Sequence, residues 1–233
     1  MEGPHRKVTL SVIMPVYNER ETVLEIIRRV DAVDIPKEII IVDDASTDGT
    51  RELLKPLQRN GIRLICHDTN RGKGSSIRSA LRFAVGDLVI IQDADLELDP
   101  AEYPKLVTPI LEGRAQVVYG SRQLAPNSPP VNSLFILGTT FLTKLTNLLY
   151  GSSLTDEATC YKILPLDLLR GIDVRARRFE FCPEVTAKVL KQGIRITEVP
   201  VQYFPRTVDG GKKIRWRDGL SAAWTLIKYK FID

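Results

Sequence analysis

The sequence predicts an α/β protein whose central sheet is mostly parallel and flanked by helices. Segments with strand character alternate with segments of helical period through the first half of the chain, which is typical of βαβ units. The strands are unbroken apolar runs, for example at 39–42 and 88–91, so both faces of the sheet should be covered. The chain has 233 residues, 43% hydrophobic and 27% charged, and this composition fits one large globular domain.

Each element of the first half has its own sequence signal. A β-rich run at 8–14 ends at Pro15, and apolar side chains then recur at helical spacing through 19–33. The same two patterns continue along the chain and predict strands at 39–42, 62–66, 88–91 and 117–119 and helices at 50–57, 75–85 and 100–111.

The second half begins after Arg122, where the composition changes. Residues 125–132 are rich in Pro, Ser and Asn and are predicted to form a loop. A long amphipathic helix is predicted at 134–150, and its apolar face consists of Leu134, Leu137, Phe141, Leu145 and Leu148. Packing of this face against the sheet is favoured over contact with a membrane. The pattern then predicts a helix at 183–192, a strand at 194–203 and a loop at 208–213 that carries glycine and lysine.

The last predicted helix, at 215–231, mixes aromatic and basic side chains. Trp216 and Trp224 lie close in sequence to Lys228 and Lys230, and this mixture suits a bilayer interface. Long lysine side chains over a protein core give the same pattern, so both interpretations stay open at this point.

Charge and cysteine content narrow the classes of function. Lys and Arg outnumber Asp and Glu by 33 to 29, and a net charge of +4 is too small to indicate a nucleic-acid partner. Three cysteines at wide spacing form no CxxC pair and are predicted to be reduced thiols in a cytoplasmic protein. The charged start predicts no secretory signal. No run of 18 uncharged apolar residues is present, so no membrane-spanning helix is predicted.

Carboxylates follow the strand predicted at 88–91. Asp93, Asp95 and Glu97 alternate with other residues, and side chains spaced in this way can converge on a hard cation such as Mg²⁺ together with substrate phosphates. A turn with helix-capping aspartates before Pro100 explains the same residues about equally well. In an open α/β sheet, ligands bind beyond the carboxyl ends of the strands, which is where this motif is expected.

Two further segments carry candidate binding groups. Asp43 and Asp44 end the strand predicted at 39–42, and one of them is expected to hydrogen-bond a ligand such as a base or ribose. Residues 70–76 place Lys73 and two glycines before a helix, where backbone N–H groups and positive charge can meet an anion. A capped helix behind a solvated basic loop is an equal explanation of that segment.

Four motifs taken together resemble the family 2 glycosyltransferases of GT-A fold. They are VIMPVYNE at 12–19, IVDDASTDGT at 41–50, NRGKG at 70–74 and QDAD at 92–95. The resemblance extends over nearly the whole chain. Within the family the sequence is most similar to the dolichyl-phosphate mannose synthase group, which segments 120–122, 156–162 and 206–213 support less strongly. The resemblance implies a Rossmann-like GT-A sheet followed by a C-terminal amphipathic helix.

The resemblance also implies roles for individual residues. The nucleotide-sugar pocket would contain Pro15, Tyr17, Glu19, Asp44, Lys73 and Asp93, with Asp44 at the base and Asp93 beside the ribose. The ligands of Mg²⁺ or Mn²⁺ would be Asp93, Asp95 and Glu97, although members of the group often carry Gln where Glu97 stands. The acceptor phosphate and the donor diphosphate would be bound by Arg122, Arg206 and Lys213. The catalytic set would be Asp93, Asp95, Arg122 and Asp156.

One departure from the group concerns the acceptor side. Its members usually carry further arginines before the amphipathic helix, whereas residues 126–138 contain no basic side chain.

The implied reaction is an inverting displacement at the anomeric carbon of a nucleotide-sugar. The hexose would be mannose from GDP-mannose, with UDP-glucose as an alternative donor, and the acceptor a polyprenyl or dolichyl phosphate. A phosphate acceptor is mostly dianionic at neutral pH and attacks without deprotonation. Transfer to a sugar or protein hydroxyl would instead need a general base, for which Asp156 and Glu157 are the candidates. A nucleotide-sugar-binding subunit without activity is disfavoured by the complete acidic motif.

The domain plan follows from this resemblance. One GT-A domain would occupy residues 1–233, with a nucleotide-sugar-binding half at 1–122, an acceptor-binding half at 123–214 and a membrane-facing amphipathic helix at 215–233. The partners would be the nucleotide-sugar, the lipid acceptor and the cytoplasmic face of a membrane, with a separate membrane subunit as an open alternative and no nucleic acid. His5 and His67 have no partner motif and are predicted to be surface or packing residues.

Overall fold

The computed structural model describes residues 8–59, 61–125, 133–206 and 216–232. Within this part of the chain a central sheet has the strand order β3-β2-β1-β4-β6-β5-β7. The strands are β1 Leu10–Val16, β2 Lys37–Asp43, β3 Ile62–Cys66, β4 Leu88–Ile91, β5 Val117–Ser121, β6 Lys162–Pro165 and β7 Ile196–Pro200. Strand β6 is antiparallel to both β4 and β5, and the other pairs are parallel. The prediction of a mostly parallel sheet flanked by helices is confirmed.

Helices pack on both faces of the sheet. They are α1 Val23–Ala32, α2 Thr50–Leu54, α3 Lys73–Leu81, α4 Tyr103–Leu111, α5 Ser133–Tyr150, α6 Leu166–Gly171, α7 Phe181–Lys191 and α8 Trp216–Phe231. Short 3₁₀ turns at Lys55–Leu57 and Pro100–Glu102 account for parts of two predicted helices. Strand β6 and helix α6 were not predicted, because a four-residue strand gives too short a pattern to recognise.

Unbroken apolar strands place side chains on both faces of the sheet, since successive residues of a strand point in opposite directions. Val12 and Met14 of β1 pack in one core cluster with α1 and α4. Ile13, between them, packs in a second cluster with α3, α6 and α7 on the opposite face. The sheet is therefore buried on both sides, as the apolar runs predicted.

Helices α5, α7 and α8 form a third, smaller packing unit. Ala187, Leu226 and Tyr229 are its buried centre, and Leu142, Leu145 and Leu149 of α5 pack against them. The Tyr150 hydroxyl donates to the Leu226 carbonyl oxygen at 2.6 Å, which ties the end of α5 to α8.

The apolar face predicted for α5 points mostly to the outside, so the expectation that it packs on the sheet was wrong. Leu137, Phe141 and Leu148 are 68%, 58% and 82% exposed, whereas Thr143 and Thr146 on the opposite side are buried. The buried threonines tolerate this position because each hydroxyl donates to the carbonyl four residues earlier. Helix α8 shows the same arrangement, with exposed Leu220, Trp224, Ile227 and Phe231 at helical spacing.

These seven exposed residues of the two helices are called the α5/α8 face below. Of the helices that the structure describes, none combines the length and apolar character that a bilayer crossing requires.

Candidate functional site

The loops that follow β1 and β2 are joined to each other by hydrogen bonds. The two strands are parallel neighbours, so their carboxyl ends lie at the same edge of the sheet. The Asn18 side-chain oxygen accepts from the Thr47 amide at 2.8 Å, and the Asn18 amide donates to the Ser46 hydroxyl at 2.9 Å. The Glu19 amide donates to the Thr50 hydroxyl at 3.0 Å. The Asp44 amide donates to the Val16 carbonyl oxygen at 2.8 Å, so the segment with the predicted pocket residues Pro15, Tyr17 and Glu19 runs beside Asp44.

The two adjacent aspartates at the end of β2 have different environments. Asp43 is fully buried and pairs with Arg51, whose Nε lies 2.6 Å from Asp43 Oδ2. Asp44 Oδ1 accepts from the Arg71 amide at 2.9 Å, and Oδ2 accepts from the Gly72 amide at 2.7 Å. Asp44 therefore fixes the loop before α3, and its Oδ2 keeps lone-pair capacity for a ligand.

Lys73, at the start of α3, pairs with Asp93 after β4. Its Nζ lies 2.5 Å from Asp93 Oδ1 and 2.7 Å from Oδ2. Burial disfavours charge on both groups, but each stabilises the other more strongly, so the pKa of Lys73 is raised and the pKa of Asp93 is lowered. Both groups therefore carry charge at neutral pH, at the edge of the sheet where the sequence predicted the donor.

The acidic loop after Asp93 is attached to a segment from the second half of the chain. Glu97 accepts from the Tyr203 hydroxyl at 2.9 Å and from the Arg206 amide at 2.9 Å. The Phe204 amide donates to the Glu97 carbonyl oxygen at 2.9 Å. Both carboxylate oxygens of Glu97 therefore hold residues 203–206.

Arg206 brings positive charge to these carboxylates. Its Nη2 donates to both oxygens of Glu19 at 2.9 Å and lies 3.5 Å from Asp95 Oδ2. The guanidinium thus links the loop after β1 to the acidic loop after β4. The Asp95 side chain is 23% exposed, and its Oδ1 accepts from the Glu97 amide at 3.1 Å.

Arg122 and Asp156 form a buried ion pair at the end of β5. Arg122 Nε donates to Asp156 Oδ2 at 2.7 Å, and Nη2 donates to Oδ1 at 2.8 Å. The side chains are 12% and 1% exposed. Burial opposes the charge on Arg122, but Asp156 outweighs it and raises the pKa of the guanidinium. The Arg122 guanidinium also lies over the Tyr203 ring, 5.1 Å from its centroid, so it borders the segment that holds Arg206.

Glu198 of β7 holds the loop that carries Asp156. Its Oε1 accepts from the Asp156 amide at 2.9 Å, and its Oε2 accepts from the Thr155 amide at 2.7 Å. Glu198 was not predicted as a site residue, because a single glutamate in a strand gives no signal of the loop that it contacts.

Glu157 lies in the core rather than in the site. Its side chain is fully buried, and neither carboxylate oxygen has a hydrogen-bond partner among the described residues. Burial raises the pKa of Glu157, although the charge of Lys162 opposes this. Lys162 Nζ donates to the Glu157 carbonyl oxygen at 2.6 Å. Glu157 is therefore shielded from any acceptor.

The fit of a divalent cation can be judged from these contacts. In the part of the chain that the structure describes, no three His, Cys, Asp or Glu side chains gather as a metal group. Asp93 faces Lys73, and Glu97 holds residues 203–206, so the set of Asp93, Asp95 and Glu97 as metal ligands stays a prediction. The oxygen chemistry fits Mg²⁺ or Mn²⁺, because Mg²⁺ takes one or two carboxylates and completes its shell with phosphates and water.

Most of the predicted site residues thus lie along one connected edge. Asp44 holds the loop that leads to Lys73, which pairs with Asp93, and Arg206 joins Glu19 to the acidic loop of Asp95 and Glu97. Arg122 and Asp156 reach the same group through Tyr203. Lys213 lies outside the described residues. Besides Glu198, His67 was missed: it is buried and contacts Asp44 with its ring.

Comparison with known proteins gives consistent matches. A family model described as "Glycosyl transferase family 2" matches residues 11–172. The low-salt glycan biosynthesis hexosyltransferase Agl6 of Haloferax volcanii is 31% identical over 205 residues, which cover 85% of this chain and 48% of that protein. The dolichol-phosphate mannosyltransferase of Pyrococcus furiosus is 27% identical over 201 residues, which cover 83% of this chain and 56% of that protein. The chain therefore spans about half the length of these two relatives.

One further relative is named for its lipid acceptor, and one solved structure is similar in fold. The UDP-N-acetylglucosamine–dolichyl-phosphate N-acetylglucosaminyltransferase of Methanococcus voltae is 28% identical over 214 residues, covering 82% of this chain and 84% of that protein. Among solved structures, glucosyl-3-phosphoglycerate synthase from Mycobacterium tuberculosis, in complex with Mn²⁺, UDP and phosphoglyceric acid, has a TM-score of 0.74 and 20% identity. That match covers 97% of this chain and 80% of the other. At this identity the likeness shows a shared fold.

Proposed function

Because this chain belongs to glycosyl transferase family 2 and is a glycosyltransferase, we propose that it moves a hexose from a nucleotide-sugar to a polyprenyl phosphate. Mannose from GDP-mannose is the first choice of donor, and UDP-glucose is the alternative. The anomeric carbon is attacked by a phosphate oxygen of the acceptor, and the nucleoside diphosphate leaves from the opposite face, so the configuration inverts.

The paired state of Asp156 is the observation that carries the choice of acceptor. A hydroxyl acceptor needs a general base within hydrogen-bond reach. Both oxygens of Asp156 are engaged by Arg122, and Glu157 is buried in the core. A phosphate monoester has a second pKa near 6 and is largely dianionic at neutral pH, so it attacks without a base. The firmly held Arg122 then serves as a cation that binds and orients this phosphate.

The names of the relatives support the same acceptor class. Two of the proteins reported above are named for transfer to dolichol or dolichyl phosphate, one of mannose and one of N-acetylglucosamine. Their different sugars leave the donor of this chain to experiment.

The donor would lie along the edge formed by the loops after β1, β2 and β4. Tyr17 and Asp44 would border the base, and Lys73 with Asp93 would border the ribose and the diphosphate. Arg206 would supply positive charge to the departing diphosphate. Charge developing on a leaving group is stabilised best by groups that are already in place, and the contacts of Lys73 and Arg206 fix both cations beforehand.

A divalent cation would be held chiefly by Asp95, with Glu97 and Asp93 as the further candidates. When bound, Mg²⁺ or Mn²⁺ would neutralise charge on the donor diphosphate. The residues of the chain orient the two substrates around it.

The α5/α8 face supports action at a membrane surface. A polyprenyl tail stays in lipid while its phosphate reaches the site, so the enzyme must approach the bilayer. Trp224 is 65% exposed and Phe231 is 78% exposed, and Lys228 and Lys230 lie on the same helix. Exposed aromatic side chains beside lysines are typical of helices that lie in the interface of anionic membranes. The face therefore supports peripheral attachment through α5 and α8.

The acceptor is tested with purified protein, Mg²⁺ or Mn²⁺, a panel of labelled nucleotide-sugars and two phosphate acceptors. A short polyprenyl phosphate should yield a labelled lipid with at least one donor, whereas phosphoglycerate should yield none. Product from a sugar or peptide hydroxyl, with polyprenyl phosphate inert for every donor, would contradict the proposal.

Membrane attachment is tested by co-sedimentation with vesicles. Wild type should bind vesicles that contain phosphatidylserine more strongly than phosphatidylcholine vesicles, and Trp224→Glu should weaken both. Val85→Glu is the matched control, because Val85 is 81% exposed but follows α3 and is not part of the α5/α8 face. Equal binding by Trp224→Glu and wild type would refute the role of this face.

A further inference from the structure

His67 lies immediately after β3 and hydrogen-bonds two elements at once. Its Nδ1 is 2.7 Å from Asp44 Oδ1, and its Nε2 is 2.9 Å from the Ser79 hydroxyl of α3. The ring is 6% exposed, and the His67 amide donates to the Asp43 carbonyl oxygen at 2.9 Å. His67 therefore sits between the end of β2 and the helix that carries Lys73.

The carboxylate partner fixes the role of Nδ1. An ionised Asp44 can only accept hydrogen bonds, so Nδ1 must carry a proton. In the neutral imidazole, Nε2 is then an acceptor and accepts a hydrogen bond from the Ser79 hydroxyl. The ring thus holds the Asp44 carboxylate from one side and α3 from the other.

Asp44 in turn fixes the backbone of the loop before Lys73. Its two oxygens accept from the Arg71 and Gly72 amides. Gly72 has a φ of 89°, in the left-handed region, and a Cβ at this position would lie 2.5 Å from the Arg177 carbonyl oxygen. The loop has little freedom to shift at this close approach, and the next residue, Lys73, reaches Asp93.

We propose that His67 is a positioning residue of the donor site, which orients Asp44 so that residues 71–73 deliver Lys73 to Asp93. This inference rests on the proposed function, because the donor is assigned to the same edge of the sheet. His67 does not touch the donor in this proposal, and it acts through the Asp44 carboxylate. Loss of the imidazole frees that carboxylate to rotate, which loosens two backbone amides and the lysine that follows.

Kinetics with three variants test the proposal. His67→Ala should raise KM for the nucleotide-sugar by about 10- to 100-fold, the effect of losing one hydrogen bond to a charged group, while KM for polyprenyl phosphate stays the same. His67→Asn should restore most of the loss, because its amide can donate from nearly the position of Nδ1. Ser79→Ala removes the outer contact alone and should raise KM for the donor by less than His67→Ala. A fall in kcat with unchanged donor KM, not restored by Asn, would mean a purely structural role and overturn the proposal.

Three measurements test the role of His67 without an acceptor or turnover. Amide hydrogen exchange at Arg71 and Gly72 should speed up in His67→Ala while the strand amides of β1 stay protected, and GDP and UDP binding with Mg²⁺ should weaken in calorimetry. The chain has two histidines, so ¹⁵N NMR of a His5→Gln background reports the Nδ1–H form of His67 directly. Unchanged exchange at both amides would refute the positioning role even if lipid product forms. Absence of any lipid product, with the exchange effect present, would refute the proposed function instead.

Discussion

Replacing Asp156 by Asn separates the two roles that this residue has been assigned. The substitution keeps the shape of the side chain but removes its charge and places an N–H₂ group against one Arg122 donor. The pair is buried, at 12% and 1% exposure, and loss of one partner from a buried ion pair typically costs about 3–5 kcal/mol. Because Asn still accepts one hydrogen bond, we expect a loss of about 3 kcal/mol in the free energy of unfolding. The surface pair Asp173–Arg175 provides the control, and Asp173→Asn should change stability little.

The kinetic effect of Asp156→Asn should arise through Arg122. A misplaced substrate-binding group costs about a hundredfold in rate, and we expect kcat/KM for polyprenyl phosphate to fall by about that factor. The assay is a double-mutant cycle with Arg122→Met, read by urea unfolding and by the pH dependence of kcat/KM. If Asp156 acts by holding Arg122, Asp156→Asn should have little further kinetic effect in the Arg122→Met background.

The pH profile distinguishes a base from a positioning group. Activity of wild type should decline below about pH 6, where the acceptor phosphate gains its second proton. Asp156→Asn should keep this acidic limb at a lower level of activity. A full independent loss in the Arg122→Met background, together with disappearance of the acidic limb, would establish Asp156 as a general base and refute the reasoning.

Three further predictions rest on other parts of the structure. For Glu157→Gln, the free energy of unfolding relative to wild type should increase as pH rises above about 4.5, because the raised pKa of Glu157 means that folded wild type binds the proton more tightly than the unfolded chain does. Urea unfolding of both proteins at several pH values measures this difference in stability. A difference that does not depend on pH would contradict the prediction. Gly72→Ala should lower the free energy of unfolding by about 1–3 kcal/mol, because φ is 89° and the new Cβ meets the Arg177 carbonyl oxygen. Gly138→Ala is the control and should not destabilise the protein, because its Cβ meets nothing within 4 Å. Equal free energies of unfolding for the two variants would disprove the close approach at Gly72. Asp95→Asn should remain folded by circular dichroism but lose turnover that depends on Mg²⁺ or Mn²⁺, and unchanged activity would remove the metal assignment.

Much of the fold could be predicted because apolar periodicity reports burial directly. The runs at 39–42 in β2 and 88–91 in β4 are apolar at every position, and each is buried on both faces of the sheet. The motif residues at the strand ends lie together for the same reason, since parallel neighbouring strands bring their carboxyl ends to one edge. This rule predicts that Asp44 and Asp93 lie at the same edge, whereas Lys73, at the start of α3, was assigned to the site only through the resemblance to family 2 glycosyltransferases.

The parts that escaped prediction depend on contacts between distant segments. Helix α5 has a strong amphipathic pattern, yet its threonines face inward because their hydroxyls are satisfied within the helix. Glu198 contacts Asp156 and Thr155, which precede it by 42 and 43 positions in the chain. His67 contacts Asp44, which precedes it by 23 positions. A single polar residue in or beside a strand gives no periodic signal, so the partner that it binds cannot be found from sequence pattern alone.

The antiparallel strand β6 has a consequence for how the polypeptide assembles during synthesis. Strands β1 to β4 arise from consecutive βα units, and their neighbours are available once about the first ninety residues exist. The outer edge of β4 stays unpaired until residues 162–165 are synthesised, some seventy positions later, because β6 lies between β4 and β5 in the sheet. An unpaired apolar edge is a template for pairing with another chain, and contacts of long sequence separation form slowly. Nascent chains that stop before β6 therefore carry an open β4 edge, and aggregation of this enzyme should begin there.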